Sequence, residues 1–428
     1  MPVPFEPEAR RRLVVRPSAG LQGSVLLQGA KNSVLKLLAA TLLAPGRHEL
    51  ERVPRITDVD VMCAMLSAMG CETAWTGASS LEVVVPDEVV PETPPELAER
   101  IRASIVVLGP LLGRAGRARL CQPGGDDFGK RPIDMHLRAL GELGAVLEVS
   151  QGFVEGKASR LKGRRIVLEY PSHTATDNVL MASVLAEGTT VIENAAREPE
   201  VVDLATMLVE MGADVEGAGT SRLVVHGVDR LRPVAHRVIP DRVEAATYLV
   251  AVGLAGGRVE VVGACPEHMD MLLAKLAEIG LELEASEDGL VVSQWGRPRS
   301  VDVATLPYPG VATDYKPLLV VLLSVASGVA VVSENLFLGR FRYVDDLRRM
   351  GADIVTDAHH AVVRGVERLQ GARVRAHDIR AGAALALAGL VADGETVVEG
   401  AEHIARGYEH FAEKLCGLGA DVVEEPAG

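Results

Sequence analysis

The chain has 428 residues, of which 48% are hydrophobic and 24% charged. That is too apolar for a disordered protein and too long for one ordinary core, so two or three domains are expected. Lys and Arg number 44 against 58 Asp and Glu, and the net charge of −14 argues against a protein that coats nucleic acid or an anionic membrane.

Aromatic residues, at 3%, are too few to suggest stacking platforms for single-stranded nucleic acid. The most apolar runs, Ser33 to Leu43 and Leu318 to Val332, fall short of the ~20 residues of a membrane span. Residues Glu6 to Arg12 mix acids and bases and carry no apolar signal core. The five cysteines contain no C-x-x-C pair, so neither a disulfide framework nor a zinc site is suggested. A soluble cytoplasmic protein is the expectation.

Followed along the chain, the elements repeat. A helix-like run ending in an apolar residue and Gly, then usually Ala and an extended stretch, recurs at Gly70, Gly144, Gly212, Gly280, Gly351 and Gly419. A second marker, Gly before a β-rich run, keeps the same beat at Gly46, Gly116, Gly188, Gly257, Gly328 and Gly394. Glycine past a helix's last turn supplies the left-handed conformation that other residues resist. Each unit of about 70 residues therefore reads as helix, Gly, strand, loop, helix, Gly, strand, a compact α/β subdomain longer than a solenoid repeat. Six such units in two groups of three fit a two-domain enzyme.

The candidate chemistry also follows chain order. Lys31 and Asn32 fall in the first turn of the apolar helix Val34 to Leu43, where the helix dipole favours an anion, although a solvated Lys and a capping Asn explain them as well. Arg102 interrupts a small-residue and apolar stretch, as Arg380 and Arg406 do later. Converging arginines would grip a small dianion, while ordinary salt bridges explain any one alone. The loop Gly124 to Pro132 superficially matches the phosphate-cradling G-x-x-x-x-G-K, but Arg131 stands where Ser or Thr would hold Mg²⁺, and Asp126 and Asp127 would face the phosphates. A Gly-hinged lid over an anionic substrate fits better. Asp314, in a Pro- and Gly-bounded segment before an apolar helix, reads locally as an N-cap first and a catalytic base second. His359 and His360 lack metal-pair spacing.

Together these segments resemble the enolpyruvyl transferase family, and within it the branch acting on UDP-N-acetylglucosamine. The resemblance runs through Gly29 to Asn32, Arg102 to Ser104, Pro123 to Asp126, Arg131 to Asp134, Glu193 to Pro199, Pro240 to Arg242, Thr313-Asp314, Asp378 to Ala381 and Arg406 to Tyr408. It implies an inside-out α/β barrel of two domains, each of three pseudo-repeated units, with the active site in the cleft between them. One domain would hold residues 1–30 and 239–428, and the other, residues 31–238, would carry the lid near 121–132.

The implied reaction moves the enolpyruvyl group of phosphoenolpyruvate onto a hydroxyl of a uridine nucleotide with release of phosphate, and needs no cofactor or metal. By resemblance, Lys31, Arg131 and Arg406 bind phosphoenolpyruvate, Arg102 lies near the nucleotide and lid, and Asp314 takes the proton from the acceptor hydroxyl. Asn32 contacts the acceptor sugar, Asp378 and Arg380 flank the reacting centre, and Arg131, Pro132, Ile133, Asp134 and Met135 hold the uracil ring. Asp126 takes the lid position that is cysteine in many members and aspartate in others. A carboxylic acid with a raised pKa can donate the proton as a thiol does, but it cannot offer the thiolate that the epoxide antibiotic fosfomycin alkylates.

Departures bear on the acceptor. Where members hold the diphosphate with Ser-Val-Gly-Ala-Thr, this chain reads Ser172-His173-Thr174-Ala175-Thr176, with Tyr170 in place of a lysine. Around the sugar, Leu336 precedes an apolar Leu338 where an acidic or polar residue is usual, and Ala405 replaces an Asp. The favoured acceptor is the 3-hydroxyl of UDP-N-acetylglucosamine. A paralogue of secondary metabolism acting on UMP is the alternative, and a non-catalytic nucleotide-binding regulator a remote one. A monomer is plausible.

Overall fold

The computed structural model describes residues 10–126, 132–337 and 339–427. By their contacts these form two compact units, one of residues 29–125 and 132–239, the other of 10–28, 126 and 240–427.

The glycine beat marks real chain reversals. All twelve marker glycines have positive φ, from +67° at Gly116 to +118° at Gly280, a region that side-chain-bearing residues avoid. Each marker closes a helix and opens a strand. The strand Gly46–Glu51 pairs in parallel with Ala235–Arg237 on one side and antiparallel with Leu81–Val85 on the other, beyond which lies Glu72–Trp75. The same pattern recurs around Thr189–Glu193, Gly257–Val262, Val329–Ser333 and Thr396–Glu399. It recurs with three strands around Arg117–Cys121, where a single parallel bridge from Glu92 to Arg119 replaces the fourth. In the sixth sheet the antiparallel neighbour is Arg11–Arg16, which sits between Thr396–Glu399 and Asp421–Pro426.

The helices divide into two kinds for a reason visible in their composition. Lys31–Thr41 and His173–Ser183 in the first unit, and Arg242–Ala255, Lys316–Ser324 and Ile379–Gly389 in the second, are buried along nearly their whole length. Helices apolar all round must lie inside. Ile379–Gly389 is rich in Ala and Gly because its neighbours approach closely: a Cβ on Gly389 would lie 2.9 Å from Val15 side-chain atoms. Helices such as Thr57–Ala68, Pro199–Glu210 and Asp270–Ile279 keep exposed positions and cover the outer side. The strands alternate buried with more accessible residues, half-buried in Leu81–Val85 and exposed in part of Gly46–Glu51, and so present one face to the core. Helices inside and sheets outside give each unit the inside-out α/β arrangement.

Leu180, wholly buried in the central helix His173–Ser183, tests this layering. Leu180→Ala should lower the unfolding free energy by about 2–5 kcal/mol in urea titrations. A loss below about 0.5 kcal/mol would mean that this helix is not core.

Candidate active site

In the first unit the polar chemistry gathers at the starts of buried helices. Gly29 precedes Lys31–Thr41 because nothing larger fits: a Cβ there would lie 1.9 Å from the Arg52 carbonyl oxygen. The helix begins at Lys31 with Ala30 in the cap position and no side-chain cap, so Asn32, half-buried in the first turn, is not a cap. Lys31 Nζ lies 2.9 Å from Asp58 Oδ2, in the first turn of Thr57–Ala68, and both side chains are nearly buried. Ser33 donates its hydroxyl to Asp203 Oδ2, which also accepts the Ile239 N–H. Asp203 Oδ1 lies 2.9 Å from His236 Nε2, and His236 Nδ1 lies 2.7 Å from Glu210. Burial disfavours the charged imidazole, but the two carboxylates outweigh it and raise the His236 pKa.

A second cluster joins three helix starts. Ser172 caps His173–Ser183, its side chain accepting from the Ala175 N–H. The His173 ring meets Lys36 Nζ at 2.6 Å, and Lys36 lies 3.3 Å from the fully buried Asp177, which burial pushes up to about 7. Thr174 Oγ1 is 3.3 Å from His136 Nε2, and Asn178 bridges His136 Nδ1, the Ile105 carbonyl and the Gly109 N–H. Arg102 begins a 3-10 turn and donates to the Pro132 carbonyl. Burial, then the Arg102 charge, pushes His136 down to about 3, so it stays neutral. Asp134 opens the helix Asp134–Glu142 and, like Pro132, is exposed, while Ile133 and Met135 are half-buried. Arg131 and Leu338 lie outside the described residues.

In the second unit the charges surround Asp314. It is not the N-cap that its local sequence suggests: Tyr315 occupies that position, and Lys316 and Pro317 fill the first turn. The Asp314 carboxylate instead lies 2.7 Å from Arg340 Nη2 and 3.5 Å from Arg380 Nε, with about a quarter of its side chain exposed. Asp378 is the residue that caps, accepting from the Arg380 and Ala381 N–H groups at 2.9 and 2.8 Å. Burial works against the Arg380 charge, but Tyr408, Asp314 and Asp241 outweigh it and raise its pKa. Arg380 Nη1 is buried and has no hydrogen-bond partner among the described residues. Arg406 pairs with Asp126, and Leu336, half-buried, donates its N–H to Glu334.

Several of these residues carry no sequence signal. Arg340 lies in a stretch remarkable only for Leu338 beside it, and Lys36, His136, Asp177 and Glu334 read as ordinary helix or loop residues. Their roles come from tertiary pairing, which no local pattern encodes.

The family model described as EPSP synthase (3-phosphoshikimate 1-carboxyvinyltransferase) matches residues 15–415. The UDP-N-acetylglucosamine 1-carboxyvinyltransferase of Mycolicibacterium paratuberculosis is 48% identical over 411 residues, covering 96% of this chain and 98% of that protein. The one of Corynebacterium jeikeium is 47% identical over 409 residues, with the same coverage. Among solved structures, the enolpyruvyl transferase NikO from Streptomyces tendae superposes with a TM-score of 0.87 at 27% identity, over 98% of this chain and all of that one. An EPSP synthase from Acinetobacter baumannii, at 18% identity and a TM-score of 0.76, shares the fold. Fold and sequence are thus shared with enzymes that transfer a carboxyvinyl group. The chain belongs to the EPSP synthase family of enolpyruvyl transferases.

The neutral His136 has a measurable consequence. A base held well below its ordinary value of 6.5 stabilises the fold fully above that value, and the contribution drains away as pH falls from 6.5 toward 3. His136→Gln should flatten the fall in stability over that window, read by denaturation at stepped pH, and cost about 1–3 kcal/mol at pH 7.5 through broken hydrogen bonds. An unchanged slope would place the titration elsewhere.

Proposed function

We propose that this enzyme transfers the enolpyruvyl group of phosphoenolpyruvate to the 3-hydroxyl of UDP-N-acetylglucosamine, releasing inorganic phosphate, as a cytoplasmic monomer. The observation that carries the reading is 48% identity across 96% of the chain to enzymes named for that acceptor. The residue chemistry supports it. A proton adds to the vinyl methylene, and the neighbouring carbon becomes cationic. The acceptor oxygen then bonds to that carbon while Asp314 takes its proton. Breakage of the carbon–oxygen bond to phosphate, with loss of a methyl proton, restores the double bond. A carboxylate base must be ionised and oriented, and the two guanidiniums beside Asp314 favour both.

The dianionic phosphoenolpyruvate needs several fixed cations, for which Lys31, Arg131, Arg380 and Arg406 are proposed. Asp126 is the proposed proton donor and leaves Arg406 to act. Arg102, Asn32 and residues 132–135 are proposed to hold the nucleotide, with Ser172, His173 and Thr174 at its diphosphate. Asp378, by capping its helix, fixes Arg380. Among the described residues no helix is long and apolar enough to cross a membrane.

A second acceptor, UMP, is favoured by one observation: the imidazole of His173 is turned onto Lys36 at the helix start proposed for the diphosphate. Phosphate release and product mass should be followed with phosphoenolpyruvate and each acceptor. Turnover is expected with UDP-N-acetylglucosamine, and release with UMP alone would overturn the favoured acceptor. Asp314→Asn should lower kcat about a hundredfold or more while nucleotide affinity stays within a few-fold. Activity within a few-fold of the parent would remove Asp314 as the base.

The same enzyme should resist fosfomycin, because Asp126 has no thiolate to alkylate. Covalent, stoichiometric inactivation with a mass adduct in the segment around Asp126 would contradict this.

A further inference from the structure

We propose that the buried pair Lys316–Glu334 is a positioning device that sets the Asp314 carboxylate for the transfer reaction. The inference rests on the base role proposed for Asp314.

Neither side chain of the pair reaches solvent, and Lys316 Nζ lies 3.0 Å from Glu334 Oε2. Glu334 ties down two irregular segments at once. Its Oε2 accepts the Thr313 hydroxyl at 2.7 Å, and its Oε1 accepts the Thr305 hydroxyl at 2.9 Å and the Leu336 N–H at 2.8 Å. Lys316 closes the circuit from the other side. Its ammonium donates to the Arg340 carbonyl at 2.5 Å and lies 3.8 Å over the Phe341 ring. Arg340 in turn donates from Nη1 to Thr313 Oγ1 at 2.9 Å and from Nη2 to Asp314 Oδ1 at 2.7 Å. Lys316, Glu334, Thr313 and Arg340 thus form a ring of contacts, and Asp314 is held by one of its members, Arg340.

A buried ion pair explains stability poorly, because the desolvation of both partners offsets their attraction and an apolar pair of the same shape is often as stable. What it supplies is direction. Asp314 and Arg340 lie in turns rather than in a helix or strand, held by isolated backbone bonds such as Tyr315 N–H to the Ala312 carbonyl and Arg340 N–H to the Phe337 carbonyl, so the side-chain ring adds a constraint that regular structure does not supply. Burial lowers Lys316 to about 8, while Glu334 stays below the usual carboxylate range because the nearby ammonium and its hydrogen-bond donors outweigh burial. Glu334, Arg340 and Asp378 are charged groups around Lys316, and Arg340 and Arg380 are among those that face Asp314. A displacement of about 1 Å at a reacting group can cost about a hundredfold in rate, so loosening Arg340 should act on turnover rather than on binding.

The test is Lys316→Met, which keeps length but cannot donate. The expected result is kcat lowered about tenfold or more, with KM for phosphoenolpyruvate and the acceptor within about threefold. In an Asp314→Asn background the same change should alter kcat by less than about twofold, because the group being positioned is already gone. An unchanged kcat in the parent, or an equal further loss in the Asp314→Asn background, overturns the proposal. A substrate-free readout separates this from failure of the functional reading. The ¹³C carboxyl resonance of Asp314, assigned by its disappearance in Asp314→Asn, should titrate about half a pH unit or more higher in Lys316→Met as the Arg340 contact loosens. An unmoved titration overturns the proposal even if no acceptor supports turnover, whereas inactivity of the parent with a moved titration removes only the proposed reaction. Should Lys316→Met not fold, Glu334→Gln, of the same shape, breaks the circuit from its other end and carries the same expectations.

Discussion

Everything polar in this protein is arranged by one constraint: the central helices have no face on which to put it. Ile379–Gly389 is buried at every position, and Lys316–Ser324 likewise. A helix of that kind offers polar contacts only at its ends and in the loop that feeds it, where backbone N–H groups are free and the dipole is positive. The chemistry therefore collects there, with Lys31 and His173 opening helices in one unit and Lys316 and Arg380 in the first turns of helices in the other. The sheets stay outside because amphipathic strands are the elements that can face water on one side.

The same constraint explains why so many charges are buried in pairs. A charge near the end of a buried helix cannot reach solvent, so it must find a partner or give up its proton. Lys31 with Asp58 takes the first course, as Lys36 with Asp177 does deeper in its helix, and His136, buried in the first turn of the partly exposed helix Asp134–Glu142, takes the second. Arg380 does neither completely, since one of its nitrogens is left over. A buried donor left over in this way carries a desolvation cost that its neighbours do not offset.

The architecture was far more legible in the sequence than the site. Twelve glycines kept a beat because a helix that stops and reverses into a strand needs a backbone conformation that only glycine adopts freely, so the geometry is written one residue at a time. Site roles depend on partners distant in sequence. Asp314 and Asp378 make the point together. Each precedes a buried helix and each could cap it, but only Asp378 does, because Lys316 and Pro317 occupy the first turn after Asp314 while Arg340 draws its carboxylate away. Resemblance to the family named Asp314 as functional. Arg340 and Lys316 lay beyond it, since their importance is in whom they touch.

The sixth sheet sets an order on assembly. Its central strand Arg11–Arg16 lies between Thr396–Glu399 and Asp421–Pro426, and Leu21–Leu26 pairs with Gly257–Val262. On the ribosome, residues 29–239 can therefore close around their own core while these two early strands still lack neighbours. Leu21–Leu26 must wait, edges bare, for Gly257–Val262, and Arg11–Arg16 for Thr396–Glu399 and Asp421–Pro426. Once these strands are joined, Ala427 donates its N–H to the Arg10 carbonyl. The unit made first is thus the one that finishes first, and the unit begun first is completed last.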